Sequence, residues 1–249
     1  MTTDWLGLTG ARVLIAGAGG IGSGLARAFH AAGARVMVAD ASDAGLDALT
    51  TGDAAIATRR TDLTDPAECA RVIDDAVAEL GRIDVFVHAI GINNRVPIVE
   101  TSDQVWDDIL RVNLTSAFHL GRRIGTAMCE QGAGRMIFIS SVSGRMAHAD
   151  HGPYAASKAG LDQLAKVMAR EWAAKGVTVN TIAPGYLETD LTRDYLKKPG
   201  ILEGMVQLVP AGRLGTVDDL TGPALFLASQ HSGFVTGQVL YVDGGRILV

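Results

Sequence analysis

The stretch Leu14-Ile15-Ala16-Gly17-Ala18-Gly19-Gly20-Ile21-Gly22 decides the fold. The run Ala11–Ala16 that leads into it is apolar without alternation, as a strand buried on both faces requires. After it, Gly17-x-Gly19-x-x-Gly22 opens into the helix-like stretch Ile21–Ala32. Glycines allow a tight turn and let backbone N–H groups approach a pyrophosphate at a helix N-terminus. The pattern alone is weak. Between a strand and a helix it stands in the context that dinucleotide binding demands.

Outward from this turn the chain repeats one scheme. Strand-like runs are Ala11–Ala16, Ala34–Ala39, Ala55–Arg60, Ile83–His88, Arg135–Ser140, Val177–Ala183 and Gln238–Val242. Helix-like stretches lie between them near Ile21–Ala32, Pro66–Leu80, Gln104–Glu130, Tyr154–Lys175 and Val217–Ser229. Fully apolar strands alternating with amphipathic helices predict the α/β class: a single-domain Rossmann fold, a seven-stranded doubly wound parallel sheet with helices on both faces. Asp65 before Pro66 and Ser102 before Asp103 read as helix caps. No linker divides the 249 residues, so residues 1–249 form one domain, with a helical lid insertion at about 185–215.

Composition narrows the function. A net charge of −5 spread along the chain offers no basic footprint for nucleic acid. No apolar window reaches membrane-spanning length, and Met1 to Gly10 lacks the pattern of a signal peptide, so a cytoplasmic protein is expected. Cys69 and Cys129 have no metal-type spacing and read as reduced thiols.

Asp40 ends the second strand. A carboxylate there can accept hydrogen bonds from both hydroxyls of an adenosine ribose and repels a 2′-phosphate, which favours NAD and makes NADP the less expected cofactor. Asp62-Leu63 either flanks the adenine or closes a turn. Further on, Tyr154-Ala155-Ala156-Ser157-Lys158 starts a long helix, and the i, i+4 spacing sets phenol and ammonium on one face. A nearby ammonium lowers a phenol pKa toward working range. Ser140-Ser141 leaves the fifth strand at the carboxyl edge of the sheet, where open α/β folds bind ligands. Asn113 falls inside a helix-like stretch, an awkward place for a side chain that competes with the backbone.

Together these residues resemble the short-chain dehydrogenase/reductase family over essentially the whole chain. The matching motifs are the glycine turn, Asp62-Leu63, Val112-Asn113-Leu114, Ser140-Ser141, Tyr154-x-x-x-Lys158, Asn180-x-Ile182-Ala183-Pro184-Gly185-x-x-x-Thr189 and Val242-Asp243-Gly244-Gly245. The resemblance implies Tyr154 as acid/base, with Lys158 binding the nicotinamide ribose and lowering the tyrosine pKa. Ser141 would hydrogen-bond the reacting oxygen, and Asn113 would anchor a water linking Lys158 to solvent. Gly17, Gly19, Gly20, Ile21, Gly22, Asp40, Asp62, Leu63, Ala89, Gly91, Pro184 and Gly185 would border the cofactor, with Thr189 and the Leu187 backbone on its carboxamide. Two departures stand out. Ala16 occupies the family's usual threonine position in a turn one residue shorter, and the fourth strand ends His88-Ala89-Ile90-Gly91 in place of N-N-A-G. His88, at the end of a buried strand, reads as a packed residue.

Within the family, Gly91-Ile92-Asn93-Asn94-Arg95-x-Pro97, Pro184-Gly185-Tyr186 and Tyr241-Val242-Asp243-Gly244-Gly245 resemble gluconate 5-dehydrogenases and related sugar-acid or polyol dehydrogenases. Arg95 matches an arginine that faces the substrate carboxylate in that group, and a guanidinium clamps carboxylates in two parallel bonds. His148, His151 and Tyr186 join Ser141 as further candidate substrate contacts, and no metal site is expected. A 3-oxoacyl-thioester reductase is the alternative, and a catalytically silent NAD-binding sensor a remote one. The family resemblance also implies a homotetramer, or a homodimer.

Overall fold

The computed structural model describes residues 4–52, 55–188, 192 and 196–249. Among them, seven strands form one parallel sheet in the order β3-β2-β1-β4-β5-β6-β7. The strands are β1 (Arg12–Ala16), β2 (Arg35–Asp40), β3 (Ala57–Arg60), β4 (Val85–His88), β5 (Gly134–Ile139), β6 (Val177–Pro184) and β7 (Val239–Val242). The α-helices are α1 (Gly20–Ala31), α2 (Asp43–Gly52), α3 (Pro66–Leu80), α4 (Asp103–Leu110), α5 (Ser116–Gln131), α6 (Gly152–Trp172), α7 (Ile201–Gln207) and α8 (Asp218–Ala228).

Two apolar layers account for the absence of strand alternation. On one face, Val72, Ile73, Leu120, Ile124, Leu161 and Ala165 of α3, α5 and α6 pack on Leu14, Phe86 and Phe138. On the other, Leu25 and Phe29 of α1, Leu49 of α2 and Leu220 of α8 pack on Val13, Ile15, Val87 and Ile137. The inner strands are covered on both faces, as a parallel sheet requires, while the edge strands β3 and β7 stay partly exposed.

The predicted caps are present. Asp65 accepts from the Ala67 N–H at 2.7 Å ahead of Pro66, and Ser102 accepts from the Val105 N–H. α2 escapes sequence reading because Gly45, Thr50 and Thr51 are weak helix formers and only Leu46 and Leu49 mark its inner face. The stretch read as one helix over Gln104–Glu130 is α4 and α5 joined through a π-helical turn, Arg111–Thr115. Such turns are rare and favour functional sites.

Strand order reverses between β1 and β4, which creates a crevice at their carboxyl ends. There the Ala89 N–H donates to the Ala16 carbonyl at 2.8 Å. Gly17, at φ +113°, packs so closely that a Cβ on it would lie 2.9 Å from the Ala89 carbonyl oxygen. Main-chain contact between these two segments accompanies the loss of the family's polar side chains at Ala16 and Ala89. The chain leaves β6 at Gly185 and returns at Gly215, where Leu187 and Gly215 pair as a parallel bridge. α7 lies in this excursion.

Candidate active site

The turn after β1 builds the first wall. Gly19 precedes α1 in extended conformation with no side-chain cap, and a Cβ there would meet nothing within 4 Å. A Cβ on Gly22 would overlap the Gly17 carbonyl oxygen, so that position admits only glycine. Asp40 reaches back to this turn: its Oδ2 accepts from the Ala18 N–H at 2.6 Å and its Oδ1 from the Ser42 N–H at 2.7 Å. A cavity of about 340 Å³ runs from Gly19, Gly20 and Ile21 past Ala89 and Gly91 to Ser141, Tyr154 and Lys158, and on to Pro184, Gly185 and Leu187. An open helix N-terminus, a carboxylate at the β2 edge and an elongated crevice suit a dinucleotide in shape and charge.

Not every expected cofactor residue reaches this cavity. Asp62 closes a turn, its Oδ1 accepting from the N–H and hydroxyl of Thr64 at 2.9 and 2.7 Å. Leu63 is buried in the core beside α3. Like Gly17, Gly22 and Asp40, neither lines the cavity. Thr189 lies outside the described residues.

α6 carries Tyr154 and Lys158 on its first turns. The Lys158 side chain is buried, and its Nζ donates to the Ile139 carbonyl at 2.8 Å. Burial depresses its pKa to about 8, against a smaller opposing pull from Asp162. The ammonium lies 5.7 Å from the centre of the Tyr154 ring. Burial pushes the Tyr154 pKa up, and the Ser141 hydroxyl and the Arg95 charge oppose the rise.

Ser141, extended at the exit of β5, accepts from the Ser143 N–H at 3.1 Å. Its own O–H is thereby left to donate toward Tyr154 or a bound oxygen. Asn113 sits at the heart of the π-helical turn, fully buried. Its Oδ1 accepts from the Ile92 N–H at 2.8 Å, while its Nδ2 donates to the Ile92 carbonyl at 3.0 Å and to Ser157 Oγ at 3.0 Å. The side chain thus grips both the N–H and the carbonyl of Ile92 and fastens the loop after β4 to α6. The same loop brings Gly91 close: a Cβ there would stand 3.3 Å from Lys158 Nζ.

A second cavity, of about 430 Å³, adjoins the first and shares Ser141, Tyr154, Gly185 and Leu187 with it. All the candidate substrate residues line it: Arg95, Ser141, His148, His151 and Tyr186. Arg95 is exposed, and the loop bearing it is tied to the approach to α6 by the Val96 N–H donating to the Asp150 carbonyl at 3.1 Å. Asp150 adopts a left-handed φ of 62°, a conformation its short polar side chain tolerates. His148 is held at both ring nitrogens, Nδ1 to Ser143 Oγ at 3.0 Å and Nε2 to the Tyr186 hydroxyl at 3.2 Å. Desolvation, then the charges of His151, Arg246 and Arg95, pulls its pKa down, so the ring is neutral at pH 7.

Sequence reading passed over Asn93, Ser143 and Met205, which also line this cavity. Ser143 looked like part of a polar strand exit, and Met205 on α7 belongs to a segment with no periodic signal. Arg246 was missed as well. It is buried beside Tyr186, and nothing local to Gly245-Arg246-Ile247 announces that placement. His88 is a packed residue, as read: its Nε2 contacts Ser116 Oγ at 2.9 Å, and burial drives its pKa down to about 3.

A doubly wound sheet, a glycine turn at its switch point and a serine, tyrosine and lysine converging on the first of two adjoining cavities define a nicotinamide-dependent oxidoreductase acting on CH–OH groups. The comparisons with known proteins agree. The family profile described as enoyl-(acyl carrier protein) reductase matches residues 15–246. The chain is 38% identical over 240 residues to the 3-oxoacyl-(acyl-carrier-protein) reductase of Escherichia coli, covering 95% of this chain and 97% of that one. It is 36% identical over 247 residues to gluconate 5-dehydrogenase of Gluconobacter oxydans, covering 97% and 96%. Among solved structures, a gluconate 5-dehydrogenase from Burkholderia cenocepacia in complex with NADP and tartrate superposes with a TM-score of 0.92 at 36% identity, covering 99% of this chain and 98% of that one. The chain belongs to the short-chain dehydrogenase/reductase family.

Proposed function

We propose that the protein interconverts a secondary alcohol and a ketone on a sugar acid or polyol of gluconate type, with NAD as cofactor. The observation that carries this reading is the wall shared by the two cavities. Ser141 and Tyr154 face both, Lys158 faces the first, and the Arg95 cation lines the second. Arg95, with the hydroxyl of Ser141 and the His151 ring, suits an anionic, hydroxylated ligand, while His148 and Tyr186, bonded to each other, shape the wall.

The nicotinamide, when bound, supplies or takes up the hydride. The remaining work falls to the chain. In oxidation Tyr154 Oη takes the hydroxyl proton as a phenolate, and in reduction it returns that proton. The Ser141 O–H, with one lone pair held by the Ser143 N–H, donates to the developing oxyanion. Lys158 holds a positive charge beside the phenol ring and presents it to the cofactor side. Asn113 keeps the Ile92 loop and α6 in register.

Asp40 supports NAD, because its carboxylate stands at the glycine turn where a 2′-phosphate would be repelled. The Burkholderia relative, solved with NADP, makes the phosphorylated cofactor the competing reading. The segment from Gly185 to Gly215, carrying Met205 at the second cavity, serves as a substrate lid. A homotetramer and a cytoplasmic location complete the proposal; no helix among the described residues is long and apolar enough to cross a membrane.

The test is an activity screen over sugar acids, neutral polyols and 3-oxoacyl thioesters, each with NAD(H) and NADP(H). Turnover of a sugar acid with NAD, and a KM for it that rises at least tenfold more than that for polyols in Arg95→Ala, is the expected result. Turnover confined to 3-oxoacyl thioesters would replace this reading with the alternative.

A further inference from the structure

A chain of side chains runs from the last residues of the described structure into the second cavity. Arg246 Nε donates to the Tyr186 hydroxyl at 3.3 Å, and its Nη1 to the Val249 carbonyl at 2.8 Å. Tyr186 meets His148 Nε2 at 3.2 Å, and His148 Nδ1 meets Ser143 Oγ at 3.0 Å. A guanidinium only donates, so the bond between Arg246 and Tyr186 has one possible direction. A phenol oxygen has one good in-plane acceptor position beside its own O–H. With that position taken by Arg246, the O–H is left for the remaining neighbour, His148 Nε2.

The direction then propagates. A neutral imidazole whose Nε2 accepts carries its proton on Nδ1. That N–H donates to Ser143 Oγ and occupies an acceptor lone pair of the hydroxyl. The Ser143 hydrogen is left to point elsewhere, and Ser143 lines the cavity next to Ser141. We infer that Arg246, acting through Tyr186 and His148, fixes the Ser143 hydroxyl as a hydrogen-bond donor to the bound substrate, making Ser143 a specificity-determining residue selective for an acceptor oxygen near the reacting carbon. Arg246, Tyr186 and His148 are positioning residues in this scheme. The inference rests on the reading of the second cavity as the substrate site, though not on which alcohol fills it.

Two measurements test it. The first needs no substrate: histidine ¹⁵N shifts of the full chain at neutral pH, with the His148 signals assigned by their loss in His148→Gln. The scheme requires a protonated Nδ1 and an accepting Nε2, moving toward the opposite tautomer in Tyr186→Phe. A protonated Nε2 in the unsubstituted protein overturns it. The second is a double-substitution cycle with whichever substrate the activity screen identifies. Ser143→Ala and Tyr186→Phe should each raise its KM about tenfold, with a smaller effect on kcat. Because both remove the same oriented bond, the double variant should be no worse than the poorer single one. Multiplying effects, or an unchanged KM in Ser143→Ala, would refute the scheme. A screen in which only 3-oxoacyl thioesters react overturns the sugar-acid reading while leaving both measurements decisive for this one.

Discussion

Lys158 Nζ donates to the Ile139 carbonyl at 2.8 Å, which anchors a buried ammonium on the strand that leads to Ser141. The bond ties α6 to β5 and places the cation at the wall of the first cavity. Burial strips the ammonium of solvent, which is why its pKa falls to about 8.

This predicts a pH dependence for cofactor binding. If the Lys158 ammonium donates to the cofactor, NAD affinity should fall as pH rises through about 8, the point where the buried cation loses its proton. Lys158→Met should bind NAD weakly at every pH and lose roughly 10²-fold or more in kcat/KM. Titration calorimetry between pH 6.5 and 9.5 reads the profile, and a flat curve for the unsubstituted protein would contradict the assignment.

The glycine turn separates folding from binding. A Cβ on Gly22 would overlap the Gly17 carbonyl, whereas one on Gly19 meets nothing within 4 Å of the chain. Gly22→Ala should therefore lower the Tm of the cofactor-free protein by several degrees or prevent folding. Gly19→Ala should leave that Tm nearly unchanged and weaken NAD binding by an order of magnitude, because the new methyl faces the cofactor cavity. Thermal melts with and without NAD distinguish the two.

His88 predicts a stability profile in acid. Its pKa is about 3 in the fold against an ordinary 6.5, so below pH 6.5 the unfolded chain binds the proton that the folded chain refuses. Stability tied to this group is complete above pH 6.5 and declines as pH falls toward 3, by up to about 1.4 kcal/mol per pH unit. His88→Asn should show a shallower decline in urea denaturation between pH 7 and 4. Parallel slopes for the two proteins would remove His88 as the cause.

Asp40 predicts the cofactor preference. Asp40→Ser removes the negative charge beside the turn and should raise the NADPH to NADH ratio of kcat/KM by tenfold or more. An unsubstituted protein that already prefers NADPH would show that Asp40 does not exclude the phosphate.

The fold was legible because its signals are local. Continuous apolar strands, the glycine turn and the cap at Asp65 each carry their meaning within a few residues. The site was legible where spacing along one helix or one strand end defines it, as with Tyr154, Lys158 and Ser141. What stayed hidden depends on chain segments meeting from afar. The reciprocal hold of Asn113 on Ile92 needs the π-helical turn to aim it, and Arg246 reaches Tyr186 across 60 residues. The surroundings of the phenol were hidden for a related reason: the i, i+4 spacing brings Lys158 near Tyr154 but does not show the burial that raises the phenol pKa or the Ser141 hydroxyl and Arg95 charge that oppose it.

The most direct test of the account is Tyr154→Phe, which removes only the phenolic hydroxyl at the wall shared by both cavities. NAD affinity measured by calorimetry should stay within a few-fold of the unsubstituted protein, while turnover of the best substrate falls by about 10² or more. Turnover at the unsubstituted rate, with NAD binding intact, would contradict the assignment of Tyr154 as the proton-transfer group.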